Sequence, residues 1–253
     1  MAGCTYVEPY AGGAGAGLAL LVTGQVSSVV INDLDPAVFA FWSTLIDAPD
    51  TLIGKIKSVP LTVNEWRAQK EVYASKTTDV EALGFATFYL NRTNRSGVLN
   101  GGPIGGLNQT GNYLIDARFN REELADRVRT LALYGDHITV LNSDGRAIVR
   151  DYASRANTFL YADPPYFEKA GSLYMNSFKA DDHRALAEDL NLQSAGRWVL
   201  TYDDVPQVDE LYADRRRRRF TLNYSAHRVT VATEVVVLSD SLVEIDDGWP
   251  TAG

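Results

Sequence analysis

The sequence predicts an α/β fold with a mixed, mostly parallel sheet, and three stretches carry that expectation. Thr5-Tyr6-Val7 reads as a short strand running into Glu8-Pro9-Tyr10-Ala11-Gly12-Gly13-Ala14-Gly15-Ala16-Gly17, then into the helix-forming Leu18-Ala19-Leu20-Leu21. Val29-Val30-Ile31 reads as a second strand and ends in Asn32-Asp33. Phe159-Leu160-Tyr161 is a further apolar run, and it stops at Asp163-Pro164-Pro165-Tyr166. The two prolines lack N–H groups and hold φ at about −65°, so the chain leaves the sheet there in a stiff, extended turn. All three stretches set polar groups at the carboxyl end of a strand, the edge where open α/β sheets bind ligands.

The 253 residues suffice for one large α/β domain or a domain carrying an insertion. Hydrophobic content of 45% is ordinary for a globular protein. The longest apolar runs, Ala16 to Val22 and Val235 to Leu238, are too short to span a bilayer, and no charged segment followed by an apolar one opens the chain. Cys4 is the only cysteine, which excludes an internal disulfide and a cysteine-rich zinc site. His137, His183 and His227 show no metal-ligand spacing. The expectation is a cytoplasmic protein with no membrane span and no metal. A net charge of −8 argues against a simple DNA-coating protein. The charge is uneven, however: residues 91–130 carry six Lys/Arg against four Asp/Glu, and Arg215 to Arg219 are consecutive. Nucleic acid stays open through local patches.

Taken in order, strand, glycine turn and helix form an arrangement that lets backbone approach a nucleotide-like ligand. Asp33, roughly 20 residues after the glycines, is placed to accept from a ribose hydroxyl pair, or else to cap the helix over 35–47. Helices follow over 62–76 and 80–89, with Trp66, Tyr73, Phe85 and Phe88 as core anchors. Asn91 to Asn112 reads as a glycine-rich loop holding Arg92, Asn94, Arg95, Ser96, Asn108 and Gln109, side chains suited to phosphates and base edges. Asn120 caps a helix running to about Tyr134. His137 to Leu141 is a strand, and Asp144 after it either accepts from an adenine amino group or caps the helix over 145–152. Residues 167–180 read as a loop with Tyr174, Asn176 and Phe178. The helix over 181–194 turns Leu186, Leu190 and Leu192 inward. Strand 197–201 and helix 205–212 precede an antiparallel pair over 217–222 and 233–238. Arg215 to Arg219 read equally as phosphate contacts or as a charged edge strand that resists sheet-to-sheet pairing.

Glu8-Pro9-Tyr10-Ala11-Gly12-Gly13, Asn32-Asp33, Asn91-Arg92-Thr93 with Ser96-Gly97, Asp163-Pro164-Pro165-Tyr166 and Asp182-His183 with Leu186-Ala187 follow one another in a familiar order. The chain resembles the alpha-group, Dam-type (D12 class) DNA adenine-N6 methyltransferases. The resemblance implies a Rossmann-like S-adenosylmethionine-dependent fold with a mainly helical and loop target-recognition insertion. The catalytic domain would be discontinuous, residues 1–60 and 136–253, and the insertion would be 61–135. It further implies S-adenosylmethionine at Glu8, Pro9, Tyr10, Ala11, Gly12, Gly13, Asp33, Asp144 and Asp163, and catalysis by Asp163, Pro164, Pro165 and Tyr166. Double-stranded DNA would meet Arg92, Asn94, Arg95, Ser96, Asn108 and Arg118, and Arg118 could instead pair with Asp116. A cognate restriction endonuclease is a further candidate partner. One departure stands at the N-terminus, where the family carries a segment with a cofactor-reaching Lys, while Met1 here lies a few residues before the first strand. It motivates a competing expectation, a catalytically weak or inactive nucleic-acid-binding homologue; an RNA adenine methyltransferase is another.

Overall fold

The computed structural model describes residues 3–75, 77–167, 178–224 and 230–242, so Tyr174 and Asn176 lie outside the described residues. The chain divides into two compact units, Met1–Leu34 with Leu141–Gly253, and Asp35–Val140. The second contains the whole of 61–135 and the flanking residues on either side.

The strands are β1 Thr5–Glu8, β2 Ser28–Asn32, β3 Ile138–Leu141, β4 Thr158–Ala162, β5 Trp198–Asp203, β6 Arg216–Tyr224 and β7 Thr230–Leu238. They form one sheet in the order β3-β2-β1-β4-β5-β7-β6. β1 runs parallel to β2 and to β4, β4 runs parallel to β5, and β7 lies antiparallel between β5 and β6. The mixed, mostly parallel sheet expected from sequence is the one found. From β1 the chain moves outward to β2, and it later returns on the other side of β1 as β4. Loops leaving these two neighbours diverge, which opens a ligand crevice at their carboxyl ends.

Among the described residues four helices belong to this unit: α1 Gly15–Val22, α7 Gly145–Tyr152, α8 Ala180–Asn191 and α9 Pro206–Leu211. Val7, Leu160, Leu200, Trp198 and Tyr202 of the sheet pack with Ile148 and Val149 of α7 and with Leu186 and Leu190 of α8. Asp189 clamps the two helices together, accepting from Arg146 Nε at 2.7 Å and Arg150 Nη1 at 2.9 Å. Leu192 departs from expectation at 78% exposed, because α8 ends at Asn191 and no turn remains to carry it inward. Gly17 is the one α1 position that had to stay bare, since a Cβ there would come within 2.9 Å of Val29 Cγ1.

The unit Asp35–Val140 is helical: α2 Pro36–Asp47, α3 Pro49–Ser58, α4 Val63–Ala74, α5 Val80–Thr93 and α6 Arg121–Ala132. Asp35, Thr62, Asp79 and Asn120 each cap a helix by accepting from a first-turn backbone N–H. Phe85 and Phe88 are buried as expected, whereas Trp66 and Tyr73 are only half-buried. Helix α3 is absent from the sequence reading. Helix α5 runs to Thr93, so Asn91-Arg92-Thr93 is its last turn and not the start of a loop.

The arginine run is largely consumed within its own unit. Arg215 pairs with Asp240, and its Nε donates to Asn191 Oδ1 at 3.0 Å. Arg217 pairs with Asp209 at 3.0 Å, Arg219 pairs with Asp204 at 2.9 Å, and Arg216 donates to Ser239 O at 2.9 Å. β6 is the edge of the sheet, and four of the five guanidiniums lock it down, which favours the edge-strand reading over phosphate contact.

Candidate active site

β1 ends in Glu8, and the loop after it folds back on β2. Gly12 N donates to Asp33 Oδ2 at 2.9 Å and Ala11 N donates to Asn32 O at 2.8 Å. Gly12 holds φ at 48°, and Ala14 takes the same left-handed region at φ 47°. A Cβ built on Gly13 or Gly15 would meet nothing within 4 Å. The loop therefore presents bare backbone to open space, a cradle that fits a nucleotide-like cofactor. Pro9 is buried behind it, and the half-buried Tyr10 turns its ring edge to Phe178 at 5.7 Å. The Tyr10 ring also fills the space where a Gly145 Cβ would stand.

Asn32 carries a role that sequence reasoning missed. Wholly buried, it donates from Nδ2 to Pro9 O at 2.8 Å and to Ser143 O at 3.0 Å, and its Oδ1 accepts from Ser143 N at 3.0 Å. One amide thus ties together the loops after β1 and β3. Asn142 Nδ2 adds bonds to Asp33 O at 2.8 Å and Leu34 O at 3.2 Å. Asp144 is seen in its capping role, accepting from Arg146 N at 2.9 Å, with its side chain exposed at the same edge. Glu8, expected among the cofactor contacts, faces inward: its Oε1 accepts from Gly17 N at 2.8 Å and braces α1 against β1.

Burial lifts the Glu8 carboxyl from 4.5 to about 7, opposed by the Gly17 bond and helped by nearby Asp163. The folded value lies above the unfolded one, so the contribution of Glu8 to stability is full below 4.5 and is lost as pH rises to about 7. Glu8→Gln keeps an oxygen for Gly17 N–H and removes the titration. Its thermal midpoint, relative to the parent, is expected to rise progressively from about pH 5 to about pH 8. A difference that stays constant over that range would contradict this.

On β4 the run Phe159-Leu160-Tyr161 leads into the Asp163 turn as expected. Thr201 Oγ1 donates to Asp163 Oδ1 at 2.8 Å and lies 3.0 Å from Tyr161 OH. The protein packed behind Asp163 pushes its carboxyl above the ordinary carboxylate range, and hydrogen bonds from Thr201 and Tyr166 hold it back. Among the described residues no protein donor reaches the Pro164 carbonyl. The far end of the turn is fixed by Phe167 N, which donates to the buried Asp203 carboxylate at 3.0 Å. The Phe167 ring stacks on His183 with centroids 3.6 Å apart. His183 Nδ1 lies 2.8 Å from Tyr202 OH, and burial pushes its pKa down, so it is a neutral support for the turn. His183 stood in the Asp182-His183 pair that carries the resemblance, whereas Thr201 and Asp203 give no local signal of these roles beyond their alternation, two apart, on β5.

The nucleic-acid candidates lie in the helical unit. Arg95, Ser96 and Asn108 are exposed. Arg92 and Arg118 are half-buried neighbours, with Arg92 Nε donating to Arg118 O at 3.4 Å and Arg118 Nη1 to Asn94 O at 3.4 Å. Arg118 thus rests on a backbone carbonyl rather than on Asp116. Asn94 is different: wholly buried, it accepts from Trp66 Nε1 at 2.6 Å and donates to Val98 O at 2.8 Å and Leu99 O at 3.0 Å. Both of its N–H groups are taken and burial keeps its oxygen from solvent, so it is not placed to read a base. Gln109 likewise folds its own loop, donating to Ile104 O at 2.8 Å and Gly106 O at 2.7 Å and accepting from Ile115 N at 2.9 Å. No cluster of His, Cys, Asp or Glu able to hold a metal is found among the described residues, and no helix there is long and apolar enough to cross a membrane.

Sheet order, glycine cradle, acid-tipped β2 and the carboxylate–carbonyl–aromatic turn together make an α/β unit with a ligand crevice at the carboxyl edge of its sheet. The model of the D12 class N6 adenine-specific DNA methyltransferases matches residues 2–231, and the chain belongs to that family. It is a site-specific DNA adenine-N6 methyltransferase, and its reaction draws on an S-adenosylmethionine-type methyl donor. No curated protein matches the chain.

Proposed function

We propose that S-adenosylmethionine is held by the loop Pro9 to Gly13 and by Asp33, with Asp144 at the rim, and that Asp163, Pro164, Pro165 and Tyr166 perform the transfer. The observation that carries this reading is the pairing of β1 with β4, which sets the open glycine cradle beside a turn whose carboxylate is anchored and whose carbonyl is reached by no donor among the described residues. When bound, the cofactor supplies a methyl group already activated on a sulfonium. Adenine N6 is a poor nucleophile because its lone pair is delocalised into the ring. The Asp163 carboxylate and the Pro164 carbonyl are two acceptors for its two N–H bonds, which favours a pyramidal amine with an available lone pair. As a carbon–nitrogen bond replaced the carbon–sulfur bond of the donor, its positive charge would pass to the amine and an uncharged thioether would leave. Asp163 is the anion placed to stabilise that charge and take the proton. Pro164 and Pro165 stiffen the turn, so the acceptors need no rearrangement during reaction. Tyr166 would stack on the base once it has left the duplex.

Within residues 61–135, Arg92, Arg95, Ser96, Asn108 and Arg118 supply the contacts to double-stranded DNA; buried Asn94 shapes the turn that presents them. No step requires a second protein, a cognate restriction endonuclease included.

The cradle is tested by Gly13→Leu. Nothing lies within 4 Å of a Cβ at Gly13, and its φ is not among the positive ones. The fold should tolerate the side chain while the ligand does not. Calorimetry is expected to show cofactor affinity reduced by about tenfold or more, with the thermal midpoint of the free protein unchanged. Undiminished affinity would remove the loop from the binding site.

A further inference from the structure

Resting on the assignment of Asp163 above, we infer that Thr201, backed by Tyr161, is the positioning residue that holds the catalytic carboxylate in its working orientation.

β4 and β5 run parallel in the register Tyr161↔Val199 and Ala162↔Leu200, so Thr201 stands one step beyond the last registered pair, where β4 gives way to Asp163. A hydroxyl has a single proton to give. Thr201 Oγ1 gives it to Asp163 Oδ1 at 2.8 Å, so toward Tyr161 OH, 3.0 Å away, it can only accept. The direction of both bonds follows: Tyr161 donates to Thr201, and Thr201 donates to Asp163. Tyr161 keeps the proton this requires, since burial pushes its hydroxyl up to about 12.

A carboxylate fixed at one oxygen cannot turn about its Cβ–Cγ bond, and the other oxygen then keeps a constant aim. Thr201 suits the task because a β-branched residue in a strand has few χ1 alternatives. It is 6% exposed, so it acts through Asp163 and not on substrate. The surroundings make the donor necessary. The charge of Glu234 on β7 works against ionisation of Asp163, and Asp163 is coupled in the same unfavourable sense to Glu8 and Tyr6 on β1 and Tyr202 on β5. Tyr166 also donates to Asp163, but it belongs to the turn itself and is the ring proposed to meet the base. Thr201 is the donor supplied by the sheet.

The test is single-turnover methyl transfer to duplex DNA over a range of pH for Thr201→Val, Thr201→Ser, Tyr161→Phe and Asp163→Asn, with cofactor affinity measured beside it. Thr201→Val is expected to slow transfer by about ten- to a hundredfold, the scale of one lost bond to an ionised group. Cofactor affinity and KM for DNA should stay within about twofold, as befits a change confined to the transition state. The acidic limb of the rate should move to higher pH, because the lost bond favoured the carboxylate. Thr201→Ser should recover the rate to within about threefold, since it restores the hydroxyl. Parental rate and limb in Thr201→Val, with Asp163→Asn inactive, would overturn the positioning role alone. Parental activity in Asp163→Asn would instead remove the assignment beneath it. If Thr201→Val fails to fold, Tyr161→Phe carries the test: a limb shifted the same way supports the relay, and an unmoved limb overturns it.

Discussion

Asp163→Ala is expected to lower methyl transfer by on the order of a thousandfold or more, without unfolding the chain. Asp163 is an exposed residue at the carboxyl edge of the sheet, so its truncation opens no cavity in the core and leaves only the Thr201 hydroxyl without this acceptor. What disappears is one of the two acceptors proposed for the amine and the only anion of the turn. Removing one preorganised polar group from a site of this kind typically costs about a hundred- to a thousandfold, and the lost proton acceptor adds to that. The measurement is tritiated-methyl transfer to mixed-sequence duplex DNA, with the modified base identified after digestion. N6-methyladenine from the parent and almost none from the variant is the expected result. A variant that methylates within about tenfold of the parent would move catalysis off this carboxylate.

The second large effect lies in the helical unit. Gly84 on α5 faces α2 so closely that a Cβ would stand 2.9 Å from the Ala40 carbonyl carbon and nearer still to Ala40 O and Thr44 Oγ1. The obstacle is helix backbone, which cannot swing aside as a side chain tip can. Thr44 is held there too, its hydroxyl donating to Ala40 O at 2.7 Å. Gly84→Ala should gain about 0.5–1 kcal/mol from the backbone and lose more from overpacking, for a net loss of about 2 kcal/mol. That corresponds to a fall in thermal midpoint of roughly 4–8 °C. Gly54→Ala on α3 is the control, because a Cβ there meets nothing within 4 Å; a gain of about 0.5–1 kcal/mol is expected. Equal midpoints for the two variants would refute the packing argument.

Both cases bear on what could be read before the structure. Local chemistry that announces itself was legible: the glycine loop, the acid at the tip of β2, the Asp-Pro-Pro-Tyr turn and the Asn120 cap all sit where their residues indicate. Helix α3 was hidden because Ala48-Pro49-Asp50 reads as a break, whereas Pro49 occupies the first helical position, where a missing N–H costs nothing. Helix α5 outran its expected end because Thr93 is buried, its hydroxyl bonded to Tyr89 O at 2.7 Å. Asn94 and Gln109 look like base readers in a sequence and are structural amides in the fold. The tying role of Asn32, and Thr201 and Asp203 as site residues, were invisible because their partners lie far along the chain. A strand shows its periodicity, but not which neighbour its polar side chains will meet.

The short bonds from Asn142 to the carbonyls of Asp33 and Leu34, and from Asp33 N to Leu141 O at 3.3 Å, join the point where the chain leaves its sheet unit to the point where it returns. The stretch Asp35–Val140 is therefore a loop already closed at its neck. Closing a long loop costs only slightly more than closing a short one, and here the closure is made by residues outside the loop. Changes of length or sequence within residues 61–135 leave both the neck and strand β3 untouched. Architecture of this kind lets the segment proposed to choose the DNA target drift under selection while the chemistry stands still.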